Sequence, residues 1–379
     1  MTDAFRRIVL SARRDLFAVP GGDTLQIAET AAALRRRGMD TDVQLGRLST
    51  RSGDVVHLFN ITRVHDTLSR SREARLSGTP TVVMPIHHAL RWVDAYEREV
   101  RSGIPGALSR STGRDLRELL KAGSHAACSP NQVSDVLAMA RIGYSAAQRE
   151  VLNSASMVIC NSRQELQVLR AETAYSGPAA VSYLGLSSAF WEAMHNPGPR
   201  PSDIPDEPFV LSVGRIEPRK NQLATVAAAR QLGLGLVLIG AVSRLSPGYS
   251  REVMREARGL KFLKYVPWVS QGDLVHWYGS ATVHVLASWF ETVGLVTLEA
   301  AACGCPTVST SRSYVGEYLG ESCVMFDPAG PARLADVIGG IAVLPRLGAV
   351  AARQAKSFTW DAAAEALLQA YDEAWTGHV

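Results

Sequence analysis

Along the 379 residues, short unbroken apolar runs alternate with longer stretches in which every third or fourth residue is apolar. The first pattern predicts strands buried on both faces, and the second predicts helices that cover them. Arg7-Ile8-Val9-Leu10-Ser11 reads as an opening strand, and Leu25 to Arg37 as an amphipathic helix stopped by Gly38. Strands are then expected at 42–45, 55–59, 81–84, 157–160 and 181–184, with a long, mostly helical, arginine-rich region between His88 and Ser156. Residues 195–208 (HNPGPRPSDIPDEP) hold five prolines and no periodicity, which is the composition of a linker. A second series follows, with strands expected at 209–213, 236–239, 260–263, 282–286 and 307–309. Trp360 to Trp375 closes the chain as an amphipathic helix.

Strand–helix alternation of this kind predicts an α/β protein with parallel sheets. The length suits two domains, each with its own core. We expect an N-terminal domain over 1–195, a linker over 196–208, a second domain over 209–358, and a last helix over 359–379 that crosses back to the first. Two doubly wound, Rossmann-like domains would then face a central cleft, with loops from the carboxyl ends of both sets of strands lining it.

Composition narrows the function. The chain is 46% hydrophobic and 20% charged, as in globular proteins, and its net charge is +4. Only five residues are lysine among 40 basic ones, but the arginines are dispersed and nearly balanced by acids, which argues against nucleic acid. Cys128, Cys160, Cys303, Cys305 and Cys323 have no CxxC pair and no metal-type spacing. With no apolar run long enough to span a membrane and no secretory h-region, a reduced, cytoplasmic protein is expected. The basic stretch Arg98 to Lys121, with Arg101, Arg110, Arg114 and Arg117, reads as a solvated loop and short helix, with peripheral docking on anionic lipid as the alternative.

Candidate chemistry concentrates after the strands of the second half. Glu291 falls in a strand-to-helix loop, and Glu299 falls inside the helix that the loop opens. With that helix starting near Val293, Glu299 would lie roughly 9 Å along its axis. Such a layout suits a nucleotide sugar: one carboxylate for sugar hydroxyls, another for ribose hydroxyls, and a helix N-terminus between them for the diphosphate. Gly214 permits a tight exit from its strand, after which Arg215 and Lys220 can converge as a fork and a point charge on a diphosphate. Gly21 and Gly22 follow the first strand and let backbone approach a phosphate, without forming a dinucleotide or Walker fingerprint. His87 and His88 end the strand-like run from Thr81, where one of them can bond a sugar hydroxyl or act near the reacting centre.

Taken together, the paired glycines, Gly214-Arg215…Lys220, and Glu291-x7-Glu299 followed by 300–306 (AAACGCP) resemble the retaining family-4 glycosyltransferases of the GT-B fold. The resemblance spans the chain and is sharpest from Phe209 to Asp327. It implies transfer of a hexose from a UDP- or GDP-linked donor to a glycan, lipid-linked or small-molecule hydroxyl, in bacterial polysaccharide or glycoconjugate biosynthesis. Arg215 and Lys220 would neutralise the diphosphate, and Glu291 would contact the donor sugar beside the amides of Thr292, Val293 and Gly294. Glu299 would hold the ribose, backbone at Tyr265 and Val266 would lie against the base, and the Gly21-Gly22 loop would close on the phosphates. It also implies no cofactor and no metal. Thr292 and Asp23 depart from the usual pattern, which leaves the sugar epimer and the acceptor-side geometry open. A nucleotide-sugar epimerase and a catalytically dead sugar-nucleotide-binding protein are the alternatives.

Overall fold

The computed structural model describes residues 5–100, 113–128, 132–341 and 345–378. In chain order, the first half comprises β1 (Arg7–Ala12), α1 (Gly22–Arg36), β2 (Asp40–Leu45), β3 (Asp54–Phe59), α2 (Val64–Leu76), β4 (Thr81–Met84), α3 (Leu90–Glu99), α4 (Arg114–Cys128), α5 (Val133–Ile142), α6 (Tyr144–Asn153), β5 (Met157–Cys160), α7 (Arg163–Thr173) and β6 (Ala179–Val181). The remainder comprises α8 (Ser188–His195), β7 (Phe209–Val213), α9 (Gln222–Gln231), β8 (Gly235–Ile239), α10 (Pro247–Glu256), β9 (Leu263–Val266), α11 (Gln271–Ser280), β10 (Val283–Leu286), α12 (Leu295–Ala302), β11 (Thr307–Thr310), α13 (Val315–Leu319), β12 (Val324–Phe326), α14 (Leu334–Ile341), α15 (Pro345–Ala355) and α16 (Trp360–Thr376).

The strands form two six-stranded sheets, ordered β2-β1-β3-β4-β5-β6 and β12-β11-β10-β7-β8-β9. Each pairing is parallel. The expected α/β, doubly wound architecture is therefore present in both sheets. In each, strand order reverses beside the first strand, next to β3 in one sheet and next to β10 in the other. Those reversals open crevices at the carboxyl ends, where ligands of such sheets bind.

Two compact units make up the chain: residues 1–90, 102–185 and 360–379, and residues 91–101 and 186–359. In the first, Val9, Val56, Leu58, Val83 and Val158 of the sheet pack with Leu68 of α2 and Val151 of α6. In the second, Val210, Leu236, Leu238, Val285 and Val308 pack with Ala228, Val253 and Ile338 from the helices. β3 and β7 are buried at every position, Asp54, His57 and Ser212 included, as in strands covered on both faces. Ser162, Ser187 and Ser270 start their helices by accepting the amides of Glu165, Phe190 and Asp273.

Several boundaries differ from expectation. The strand expected at 260–263 runs instead over Leu263–Val266, because Leu236 pairs with Leu263 and the Phe262 carbonyl already accepts the Leu236 amide before the ladder begins. The strand expected at 181–184 is Ala179–Val181. β12 has only three residues, too few for any periodicity to reveal. Gly22 is the first residue of α1 and not part of a loop before it: Gly21 caps the helix, and its amide donates to Thr24 Oγ1 at 3.0 Å.

Of the basic stretch Arg98 to Lys121, the positions of Arg101 and Arg110 lie outside the described residues. On α4, Lys121 is bonded to Glu118 at 2.8 Å, and Arg117 is buried beside the same carboxylate. Among the described residues, no helix is long and apolar enough to cross a membrane. Cys160, Cys303, Cys305 and Cys323 are free thiols, and burial pushes those of Cys303 and Cys305 up to about 12.

Candidate functional site

β7 and β10 flank the strand-order reversal of the second sheet, and the loops leaving them carry most of the candidate residues. The β7 exit turns at Gly214, whose φ of +142° suits glycine, and a Cβ there would lie 3.5 Å from Lys220 Cε. The chain then makes a 3-10 turn over Pro218–Lys220 and enters α9 through Asn221, itself left-handed at φ +53°. This turn aims Lys220 across to the β10 loop. Its Nζ donates to Glu291 Oε1 at 2.6 Å, and Arg219 Nη1 donates to the same oxygen at 3.2 Å.

Arg215 does not join them. Its guanidinium is 41% exposed and lies 3.8 Å from Glu217, whereas Arg219 bridges Glu217 and Glu291. Arg219 is the cation that spacing alone passed over: it follows a proline in the same turn, and only the 3-10 geometry brings it to the carboxylate.

Burial works against a charge at Glu291, yet Lys220 and Arg219 more than offset it, so the carboxyl is held far below the usual range. Burial lowers the Lys220 pKa despite Glu291, with the charge of Arg219 adding to the effect. For Arg219, burial is outweighed by Glu291 and Glu217, and its pKa rises. The site is a preformed ionic cluster.

The β10 loop is held at several backbone points. The Trp289 amide donates to the Arg219 carbonyl at 2.7 Å, that of Glu291 to Arg312 at 3.0 Å, and that of Tyr314 to Thr292 at 2.6 Å. Gly294 then adopts φ +72° as the cap of α12, with no room for a Cβ against Leu286. The helix thus begins at Leu295, two residues later than expected, and Glu299 lies about 6 Å along its axis. Among the described residues, the amides of Thr292, Val293 and Gly294 find no acceptor. They lie just before the start of α12, where the first amides of a helix lack intrahelical partners.

Glu299 faces a different neighbour. Its Oε2 accepts from the Tyr278 hydroxyl of α11 at 3.0 Å, and it is only 3% exposed. Burial pushes the carboxyl up to about 7, with the Tyr278 hydrogen bond pulling the other way. Tyr278 carries no signal in the sequence, since its meeting with Glu299 depends on how α11 packs beside α12. On β10, His284 is fully buried, edge-on to Tyr278, and with no hydrogen-bond partner on either ring nitrogen. Burial, aided by Lys220, lowers it to about 3, so it stays neutral.

Tyr265 and Val266 are the last two residues of β9, at the carboxyl end of the edge strand beside β8. Tyr265 and Val242 line an open groove of about 940 Å³ with Arg251, Met254, Arg255 and Arg258 of the adjoining crossover.

In the first unit, His87 is buried, its Nε2 lies 2.6 Å from Glu172 Oε2, and its amide donates to Glu165. His88 is half-exposed. Beside the Gly21-Gly22 turn, the charge of Asp23 is met by Arg13 at 2.7 Å, which also binds Asp15 at 2.8 Å.

Residues 207–342 match the family described as Glycosyl transferases group 1. A D-inositol 3-phosphate glycosyltransferase of Catenulispora acidiphila is 26% identical over 94% of this chain and 92% of its own length. The chain spans 46% of the length of the relative of that name from Paenarthrobacter aurescens and 27% of that from Streptomyces scabiei. In three dimensions it is similar to a sucrose-phosphate synthase from Thermosynechococcus elongatus, with TM-score 0.70, 19% identity and coverage of 97% and 98% of the two chains. HepE of Anabaena, solved with UDP and glucose, superposes at TM-score 0.62 with 15% identity over 96% and 98%.

Proposed function

From a chain whose residues 207–342 belong to the glycosyl transferases group 1 family, on a GT-B fold, we propose a hexosyltransferase that uses a UDP- or GDP-linked sugar. The observation that carries this reading is the Lys220–Glu291 contact across the strand-order reversal, followed directly in the chain by the unpaired amides of 292–294, with Glu299 one helical turn further on. In that crevice, Glu291 takes donor-sugar hydroxyls and Glu299 takes ribose hydroxyls. Lys220, the amides and the half-exposed Arg215 meet the diphosphate, and the end of β9 at Tyr265 and Val266 takes the base. The HepE complex with UDP and glucose supports a uridine donor.

In the proposed reaction, the bond from the anomeric carbon to the diphosphate oxygen breaks and negative charge grows on the leaving group. Fixed cations and helix-start amides stabilise that charge, which is electrostatic catalysis. The acceptor oxygen attacks on the same face, and its proton passes to the departing diphosphate, so configuration is retained. No enzymic nucleophile is assigned: Glu291 is already engaged by two cations. No metal enters this scheme. The relative named for D-inositol 3-phosphate favours a small-molecule acceptor over a glycan or lipid-linked one. Of the two histidines, the half-exposed His88 is assigned to the acceptor side, with His87 committed to Glu172.

A donor panel tests the reading. Each nucleoside diphosphate sugar is added while thermal shift and nucleotide release are followed; ligand binding to the native state raises its melting temperature. One donor should raise it and be consumed when acceptor is present. Binding without turnover would favour the dead binding protein, and interconversion of sugars without acceptor would favour the epimerase.

A further inference from the structure

Residues 91–101 belong to the second unit although the chain on both sides of them belongs to the first. They form most of α3, and the contacts of that helix show what it does there. Trp92 and Tyr96, four apart and so on one helical face, pack on the two loops that shape the sugar end of the crevice. The Trp92 ring lies 5.3 Å from that of Tyr314, whose amide holds Thr292. The Tyr96 ring meets Phe290 edge-on at 5.8 Å and Trp289 at 6.4 Å, and Phe290 immediately precedes Glu291.

Both loop rings also contact cations: Arg219 lies 5.5 Å from the Phe290 ring, and Arg312 lies 5.1 Å from that of Trp289. The backbone before Glu291 is therefore gripped by arginines and by the aromatic face of α3.

We propose that Trp92 and Tyr96 are positioning residues for Glu291, and that they set how donor turnover divides between the acceptor hydroxyl and water. This rests on the donor-site reading above. Aromatic rings fix a neighbouring backbone through area and edge-to-face geometry. Glu291 needs such support because its carboxylate must stay within a fraction of an ångström of its productive position while the glycosidic bond opens. Without the Tyr96 ring, the Phe290–Glu291 backbone gains freedom, the sugar is held less well, and water competes with the acceptor.

The test compares wild type with Tyr96→Ala, Tyr96→Phe and Trp92→Ala in the full chain. For each, kcat for transfer, donor hydrolysis without acceptor, and affinity for the nucleoside diphosphate alone are measured. Tyr96→Ala should lower transfer kcat about tenfold and raise the hydrolytic share several-fold, with nucleoside diphosphate affinity unchanged. Trp92→Ala should do the same more weakly, and Tyr96→Phe, which keeps the ring, should restore the wild-type division. Loss of nucleoside diphosphate affinity in parallel with kcat would make α3 a purely structural brace and overturn the proposal. So would an unchanged division of products in Tyr96→Ala. A wild-type chain that turns over no donor would instead sink the hexosyltransferase reading itself.

Discussion

Lys220 Nζ lies 2.6 Å from Glu291 Oε1, joining the loop after β7 to the loop after β10 across the strand-order reversal. The pair is largely buried, with side chains 15% and 11% exposed, and losing Lys220 takes from Glu291 the nearer of the two cations that offset its charge. Lys220→Met should therefore destabilise the fold by on the order of 3 kcal/mol. Adding Glu291→Gln should recover much of that loss in urea unfolding while activity stays absent. A double variant no more stable than the single one would mean the pair is not coupled.

Glu291→Gln by itself should cut kcat by about two orders of magnitude and leave nucleoside diphosphate affinity nearly unchanged, since the lost contact is to the sugar as charge develops. Equal losses in both would place Glu291 on the diphosphate side and exchange its role with that of Glu299.

Arg215 and Arg219 should separate by what they affect. Arg219 holds the buried Glu291 and the half-buried Glu217, so Arg219→Ala should lower the melting temperature. Arg215 is half-exposed and only loosely paired; Arg215→Ala should keep the wild-type melting temperature and weaken donor turnover by about tenfold. If Arg215→Ala turns over normally, the diphosphate is met by Lys220 and the amides without it.

Glu299 makes stability depend on pH. Its ordinary value is 4.5 and its folded value about 7, so the folded chain retains a proton that the unfolded chain has lost in between. Stability from this group is full below about 4.5 and declines as pH rises towards 7, by on the order of 3 kcal/mol in all. Glu299→Gln should abolish that slope and be the more stable form at pH 8. Because ribose hydroxyls favour the ionised carboxylate, nucleoside diphosphate affinity should strengthen more steeply from pH 5 to about 7 in wild type than in Glu299→Gln. Matching profiles for the two proteins would remove Glu299 from the ribose.

His284 is buried with both ring nitrogens unpartnered. Replacing such a group by an apolar one of similar size removes an unmet desolvation cost, so His284→Leu should stabilise by about 1 kcal/mol. A lower urea midpoint would show that the ring is hydrogen-bonded through water.

Chain periodicity alone determined the strands that are buried on both faces, such as β5 and β7, because a strand covered by helices must be apolar at every position and leaves an unbroken run. It determined the candidate carboxylates too, since Glu291 and Glu299 straddle a strand-to-helix junction that Gly294 marks. Tertiary structure decided the rest. A three-residue β12 carries no period, and the register of β9 depends on which residue of β8 it meets. Arg219, which spacing passed over, reached Glu291 because a 3-10 turn rotates side chains differently from a simple loop. Tyr278 reached Glu299, and Tyr96 reached Phe290, through packing between segments far apart in the chain. Spacing along a sequence reports neighbours within one element; contacts between elements depend on how their faces are brought together, which no local pattern encodes.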